Sequence, residues 1–160
     1  TLDLSNAPFA VEEVVSATEM ETAVFKKFPT VDFAIAAAAV ADFKPLAPKP
    51  HKIKKEEGIP SIELQPNPDI LARMGKEKKQ QFVLGFALET QDNWKEALAK
   101  KRRKKADAIV MNSLTDPGAG FASDTNKITY IGENEKPKRF SLKSKNEVAK
   151  DIWNEIMDQG

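Results

Sequence analysis

Three apolar runs without polar interruption constrain this chain more than any other feature. Phe33–Ala41 is nine apolar residues in a row, and Phe82–Leu88 and Ala108–Met111 repeat the pattern further on. A strand with one wet face alternates apolar and polar residues, so unalternating runs predict strands covered on both faces, as in a parallel sheet. The intervening segments read as helices. Thr18 with Glu21 forms a capping-box pattern for a helix over 19–28, which Pro29 stops. Asn67-Pro68-Asp69 is a helix start, with Ile70, Leu71 and Met74 on one face. A helix over 93–105 runs into the third apolar segment. Ser144 with Glu147 opens the last helix, whose apolar stripe is Val148, Ile152, Trp153 and Ile156. Shorter strands are expected at 11–15 and 61–64, and a hairpin at 127–131 and 139–142. The expected fold is α/β: a Rossmann-like, mostly parallel sheet flanked by helices, with a C-terminal hairpin, in one domain over 1–160.

Composition narrows the function classes. Twenty-five Lys plus Arg against 24 Asp plus Glu leave a net charge of +1, unlike the strongly basic balance of a dedicated nucleic-acid binder. No apolar run approaches the roughly 18 residues of a membrane span. The absence of cysteine excludes disulfides, zinc thiolates and thiol nucleophiles. His51 is the one histidine, which excludes a multi-histidine metal site. With no signal-type segment at its start, the chain is expected to be cytoplasmic. Its first residue, Thr1, suggests a start inside a longer gene product.

In an α/β sheet, ligands bind beyond the carboxyl ends of the strands. Asp42, Glu89-Thr90 and Asn112-Ser113 are the polar groups expected there, and the helix start at Asn67-Pro68 adds backbone N–H donors. Together they suggest a nucleotide-sized ligand, although each alone also serves as a turn former or cap. Residues 42–60 combine four prolines with Lys44, Lys49, Lys52, Lys54 and Lys55, and read as a basic flap able to close over a phosphate. Lys100 to Lys105 is a run of six cations. Most are expected to face water and complement the helix dipole, while Lys100 and Lys104, four apart on one face, suit a triphosphate. Phe86 suits either base stacking or the core.

Ala38-Ala-Val-Ala-Asp42-Phe-Lys-Pro45, Lys52-Ile-Lys-Lys55, Asn67-Pro-Asp-Ile-Leu71, Gly85-Phe-Ala-Leu-Glu-Thr90, Ala108-Ile-Val-Met-Asn112 and Phe121-Ala-Ser-Asp124-Thr-Asn126 occur in this order. This series resembles bacterial phosphopantothenoylcysteine synthetase from about residue 11 to the C-terminus. The resemblance implies a ligase of coenzyme A biosynthesis whose partners are 4′-phosphopantothenate, cysteine and CTP. It implies that Ala36, Ala37, Ala38 and Asp42 contact the nucleotide, as do Pro68, Asp69, Ile70 and Leu71. Phe86 would lie by the base, Lys100 and Lys104 would bind the triphosphate, and Lys52 would be catalytic at the reacting phosphate. Mg²⁺ is expected with the triphosphate, on ligands the sequence leaves unknown. The family's N-terminal strand and glycine-rich turn, with part of the phosphopantothenate site, have no counterpart here, so the domain reads as incomplete. A homodimer is implied, as is possible fusion to a flavin-dependent decarboxylase, which alone would bring FMN. Two other readings stay open: an NAD(P)-dependent Rossmann-type reductase, disfavoured by the lack of G-x-G-x-x-G, and a non-enzymatic RNA-binding module using the basic segments.

Overall fold

The computed structural model describes residues 7–47, 51, 61–89, 93–113 and 123–158. In chain order its elements are α1 (Ala17–Lys27), β1 (Phe33–Ala36), β2 (Phe43–Pro45), β3 (Leu64–Pro66), α2 (Ile70–Glu77), β4 (Phe82–Glu89), α3 (Trp94–Lys104), β5 (Ala108–Ser113), β6 (Thr125–Asn126), β7 (Ile128–Ile131), β8 (Pro137–Arg139), β9 (Lys143–Ser144) and α4 (Lys145–Met157). They fall into two units: Thr1–Pro29 with Ala39–Asp69, and Thr30–Ala38 with Ile70–Gly160.

The second unit holds a five-stranded sheet in the order β1-β4-β5-β7-β8. β1, β4 and β5 are parallel, while β7 and β8 run antiparallel to their neighbours. The unalternating runs of β4 and β5 are covered on both faces, as expected. Leu84, Ala108, Val110 and Tyr130 pack against Val148, Ile152 and Ile156 of α4. Ala87, Ile109, Met111 and Ile131 pack on the other face against Ala97 of α3. Each Leu, Ile, Val or Met side chain so buried contributes about 1.5–3 kcal/mol. The α4 cap is the expected one: Glu147 N–H donates to Ser144 Oγ at 3.3 Å, and Ser144 N–H donates to Glu147 Oε2 at 3.1 Å.

Two of α2's contacts depend on glycine. A Cβ on Gly85 of β4 would stand 2.5 Å from Leu71 Cδ2, and one on Gly75 of α2 would run into the Lys104 carbonyl oxygen. Asp107 ties the same region together, accepting from Lys78 Nζ and, at 2.8 Å, from the Val83 N–H.

Several expectations are corrected. The strand expected from the first apolar run is only Phe33–Ala36, and it is not covered on both faces: Phe33 is 39% exposed and Ile35 48%. β1 ends the strand order, so it has one strand neighbour among the described residues. Trp153 leaves the apolar stripe and is 45% exposed, because it sits about 100° around the helix from Ile152. Its ring meets Phe33 edge-on at 5.2 Å. The hairpin's second strand lies at Pro137–Arg139 rather than 139–142.

In the first unit, α1 begins two residues early. Ser16, not Thr18, is the N-cap, with Glu19 completing the box; two overlapping S/T-x-x-E patterns compete and the earlier one wins. Residues 11–15 form no strand, having no ladder partner among the described residues. Within the expected flap, Phe43–Pro45 is a strand: β2 pairs antiparallel with β3, which occupies Leu64–Pro66 rather than 61–64. Prolines fit this two-stranded ribbon because its outer N–H positions need no partner. Asn67 does not cap α2, which starts at Ile70. Its Nδ2 donates to the Ala41 carbonyl at 2.9 Å and its N–H to the Asp42 carbonyl at 2.8 Å.

Candidate functional site

The expected site residues divide between the units. Asp42, Pro68 and Asp69 belong to the first, where the Asn67 N–H bonds the Asp42 carbonyl just ahead of Pro68-Asp69. Ala36, Ala37, Ala38, Ile70, Leu71, Phe86, Lys100 and Lys104 belong to the second. Lys52, the expected catalytic flap residue, lies outside the described residues, as does Thr90.

Within the second unit, sheet and helices bring several of these together. Ala36 closes β1, and the exposed Ala37 and Ala38 follow it; side chains this small leave the backbone open to close approach. The β1–β4 ladder stops at the Ala36–Gly85 pair. One residue beyond, the Phe86 carbonyl accepts from Lys100 Nζ at 3.3 Å. An ammonium carries three protons, so a single bond to a strand carbonyl orients Lys100 and leaves its charge and two donors for an anion. The Phe86 ring is half-buried and packs against the core on the α4 side of the sheet. Leu71, at the start of α2, rests on Gly85, the residue before Phe86.

Within the six-cation run Arg102, Arg103 and Lys105 are exposed, as expected of most of it, and Lys101 is the exception. Lys101 is buried, at 8% exposure. Arg102 forms a two-pronged ion pair with Glu135 in the β7–β8 turn. That hydrogen bonding raises the Arg102 pKa and holds the Glu135 carboxyl below its ordinary range. Lys105 adopts left-handed angles (φ 52°) and closes α3, its N–H donating to the Arg102 and Lys101 carbonyls. Lys100 and Lys104 share the face that the helical spacing predicts.

Among the described residues two buried side-chain acceptors lack a donor: Asn67 Oδ1 in the first unit and Asn112 Oδ1 near the carboxyl end of β5 in the second. A buried acceptor in this state costs about 1–3 kcal/mol, which favours an arriving N–H. Among the described residues no group of three His, Asp or Glu is placed to hold a metal ion. Mg²⁺ that enters on nucleotide phosphates needs no such cluster, since it keeps several waters and takes one or two carboxylates. A concavity at the start of α1, lined by Glu12, Glu13, Thr18, Glu19 and Thr22, includes none of the expected residues, and its sign is wrong for a nucleotide. No described helix is long and apolar enough to cross a membrane. No local sequence signal marks Asp107, whereas a lone glycine inside a helical pattern marks Gly75.

A family model for the DNA/pantothenate metabolism flavoprotein C-terminal domain matches residues 3–159. A cysteine/cysteine sulfinic acid decarboxylase from an unknown prokaryotic organism is 48% identical over 158 residues, covering 98% of this chain and 44% of that protein. The coenzyme A biosynthesis bifunctional protein CoaBC of Bacillus subtilis (strain 168) is 40% identical over 143 residues, covering 89% of this chain and 35% of that protein. The solved C-terminal domain of a CoaBC protein superposes with a TM-score of 0.72 at 34% identity, covering 92% of this chain and 66% of that one. The chain thus spans less than half the length of these curated relatives. With the match running almost end to end, the chain belongs to the family of DNA/pantothenate metabolism flavoprotein C-terminal domains.

Proposed function

We propose that this chain is the CTP-binding part of a ligase that joins 4′-phosphopantothenate to cysteine in coenzyme A biosynthesis. The observation that carries the reading is the bond from Lys100 Nζ to the Phe86 carbonyl, which joins an expected triphosphate ligand to an expected base neighbour at the open end of the β1–β4 ladder. The names of the CoaBC relatives agree with it. The phosphopantothenate carboxylate attacks the α-phosphorus of CTP, giving an acyl-cytidylate and pyrophosphate. The cysteine amine then attacks the acyl carbon and releases CMP. Lys100 and Lys104 hold the departing phosphates and Lys52 neutralises charge at the reacting phosphate. Ala36, Ala37, Ala38, Asp42, Pro68, Asp69, Ile70 and Leu71 hold the nucleotide, and Phe86 lies by its base. Positioning and charge neutralisation suffice for this chemistry, so no acid–base dyad is required. Mg²⁺ accompanies the triphosphate. A homodimer, a fused flavin-dependent decarboxylase domain carrying FMN, and a cytoplasmic location complete the proposal.

The relative named as a decarboxylase favours a second reading, in which the full-length protein decarboxylates cysteine or cysteine sulfinate. Calorimetric titration of the full-length protein with CTP and with ATP, in the presence of Mg²⁺, separates the readings. The ligase reading expects CTP binding that Lys100→Ala and Asp42→Ala abolish, and turnover that collapses in a folded Lys52→Gln variant. A full-length protein indifferent to CTP that releases CO₂ from cysteine sulfinate refutes it. NADPH-dependent hydride transfer, or tight and steeply salt-dependent RNA binding without nucleotide selectivity, would refute it in favour of the reductase or RNA-binding readings.

A further inference from the structure

We propose that Gly75 is a positioning residue for the triphosphate: it sets where the last turn of α3 lies, and so where Lys104 presents its ammonium. This rests on the reading of Lys104 as a triphosphate ligand. Glycine is the poorest choice for a helix interior after proline, so its place inside α2 asks for a reason. The reason is contact between backbones. A Cβ at Gly75 would collide with the Lys104 carbonyl oxygen and stand 2.9 Å from the Lys105 carbonyl oxygen and 3.0 Å from its carbonyl carbon. These are main-chain atoms, which no rotamer change moves aside. Gly85 differs, because a Cβ there meets the ends of the Leu71 side chain, which rotate.

Neither helix yields easily. The end of α3 is held by the left-handed cap at Lys105 and by the Arg102–Glu135 ion pair. α2 is held by buried Ile70 and Met74, and the segment after it by the Lys78–Asp107 ion pair. A methyl group at Gly75 must therefore displace a turn that carries Lys104, and displacement by an ångström is enough to spoil a lysine–phosphate bond. The same α2 begins with Ile70 and Leu71, so one eight-residue helix couples that end of the nucleotide site to the triphosphate lysine.

The test compares CTP with CMP as calorimetric probes on the full-length protein. Lys104→Ala is expected to weaken CTP about tenfold and to leave CMP within about twofold, the loss of one charge-assisted contact to the outer phosphates. Gly75→Ala is expected to do the same, and the double variant to be no weaker than Lys104→Ala alone within about twofold. The positioning role is overturned if Gly75→Ala keeps CTP affinity, weakens CTP and CMP equally, or adds its full loss on top of Lys104→Ala, while the Lys104 reading survives. A Lys104→Ala variant with unchanged CTP affinity overturns both. Should Gly75→Ala fail to fold, the wild-type Gly75 amide resonance carries the test. It is expected to shift with CTP and not with CMP; a Gly75 amide that stays still while that of Lys104 moves overturns the proposal.

Discussion

β1 and β4 are neighbouring parallel strands drawn from apolar runs that look equivalent, yet they live in different surroundings. Val83 and Leu84 of β4 are completely buried, while Phe33 and Ile35 of β1 are 39% and 48% exposed. β4 has a strand on each side and core clusters on both faces. β1 has one strand neighbour among the described residues, and its Phe33 ring lies tilted against Phe82 and meets Trp153 edge-on. Side-chain chemistry proposes burial; the neighbours decide it.

The sharpest way to break that comparison is truncation at paired positions. Leu84→Ala is expected to cost about 2–5 kcal/mol in a urea melt, the range for a cavity in a packed core. Ile35→Ala, which pairs with Leu84 in the ladder, is expected to cost about 1 kcal/mol. Equal losses would show that β1 is as enclosed as β4. Asp107→Ala comes next: it leaves the Val83 N–H and Lys78 without their acceptor and is expected to cost roughly 1–3 kcal/mol, with m unchanged. A loss below a few tenths would mean that packing alone holds β4 in register.

The smallest effect is in pH. Hydrogen bonds with Ser144 lower the pKa of Glu147 below its ordinary 4.5, and backbone bonds from Val15 and Ser16 do the same for Glu19. A lowered carboxylate pKa gives stability that is present above the unfolded-state value and lost as pH falls through the folded one. The protection factors of the amides in the first turns of α4 and α1, taken relative to intrinsic exchange at each pH, are therefore expected to fall below about pH 4.5. Glu147→Gln should remove that dependence in α4 alone. Because α4 buries Val148, Ile152 and Ile156 beneath β4, while α1 buries none of its residues, only the α4 fraying should register in the core.

The interior of the fold was legible because it obeys local rules. The β4 and β5 runs and the Ser144–Glu147 cap follow from periodicity and capping chemistry, which act within a few residues. What was not legible depends on partners distant in sequence. β2 forms because Phe43–Pro45 meets Leu64–Pro66, and no local signal marks that encounter. Asn67 turns from cap to tether because Ala41 and Asp42 offer carbonyls across the ribbon. In the candidate site, the spacing of Lys100 and Lys104 pointed to one helix face. That Lys101 would be buried and Arg102 committed to Glu135 required the β7–β8 turn to be in place.

That turn and the end of α3 share a property with a practical use. The chain has seven glycines, and among the described residues Lys105 (φ 52°) and Glu135 (φ 57°) occupy backbone angles that glycine enters without steric conflict. Side chains stand where bare turns are common. Each position thus offers a substitution that deletes a side chain while leaving the local path of the main chain undisturbed. Glu135→Gly releases Arg102 without asking the turn to change shape, which makes the tether separable from the turn that presents it.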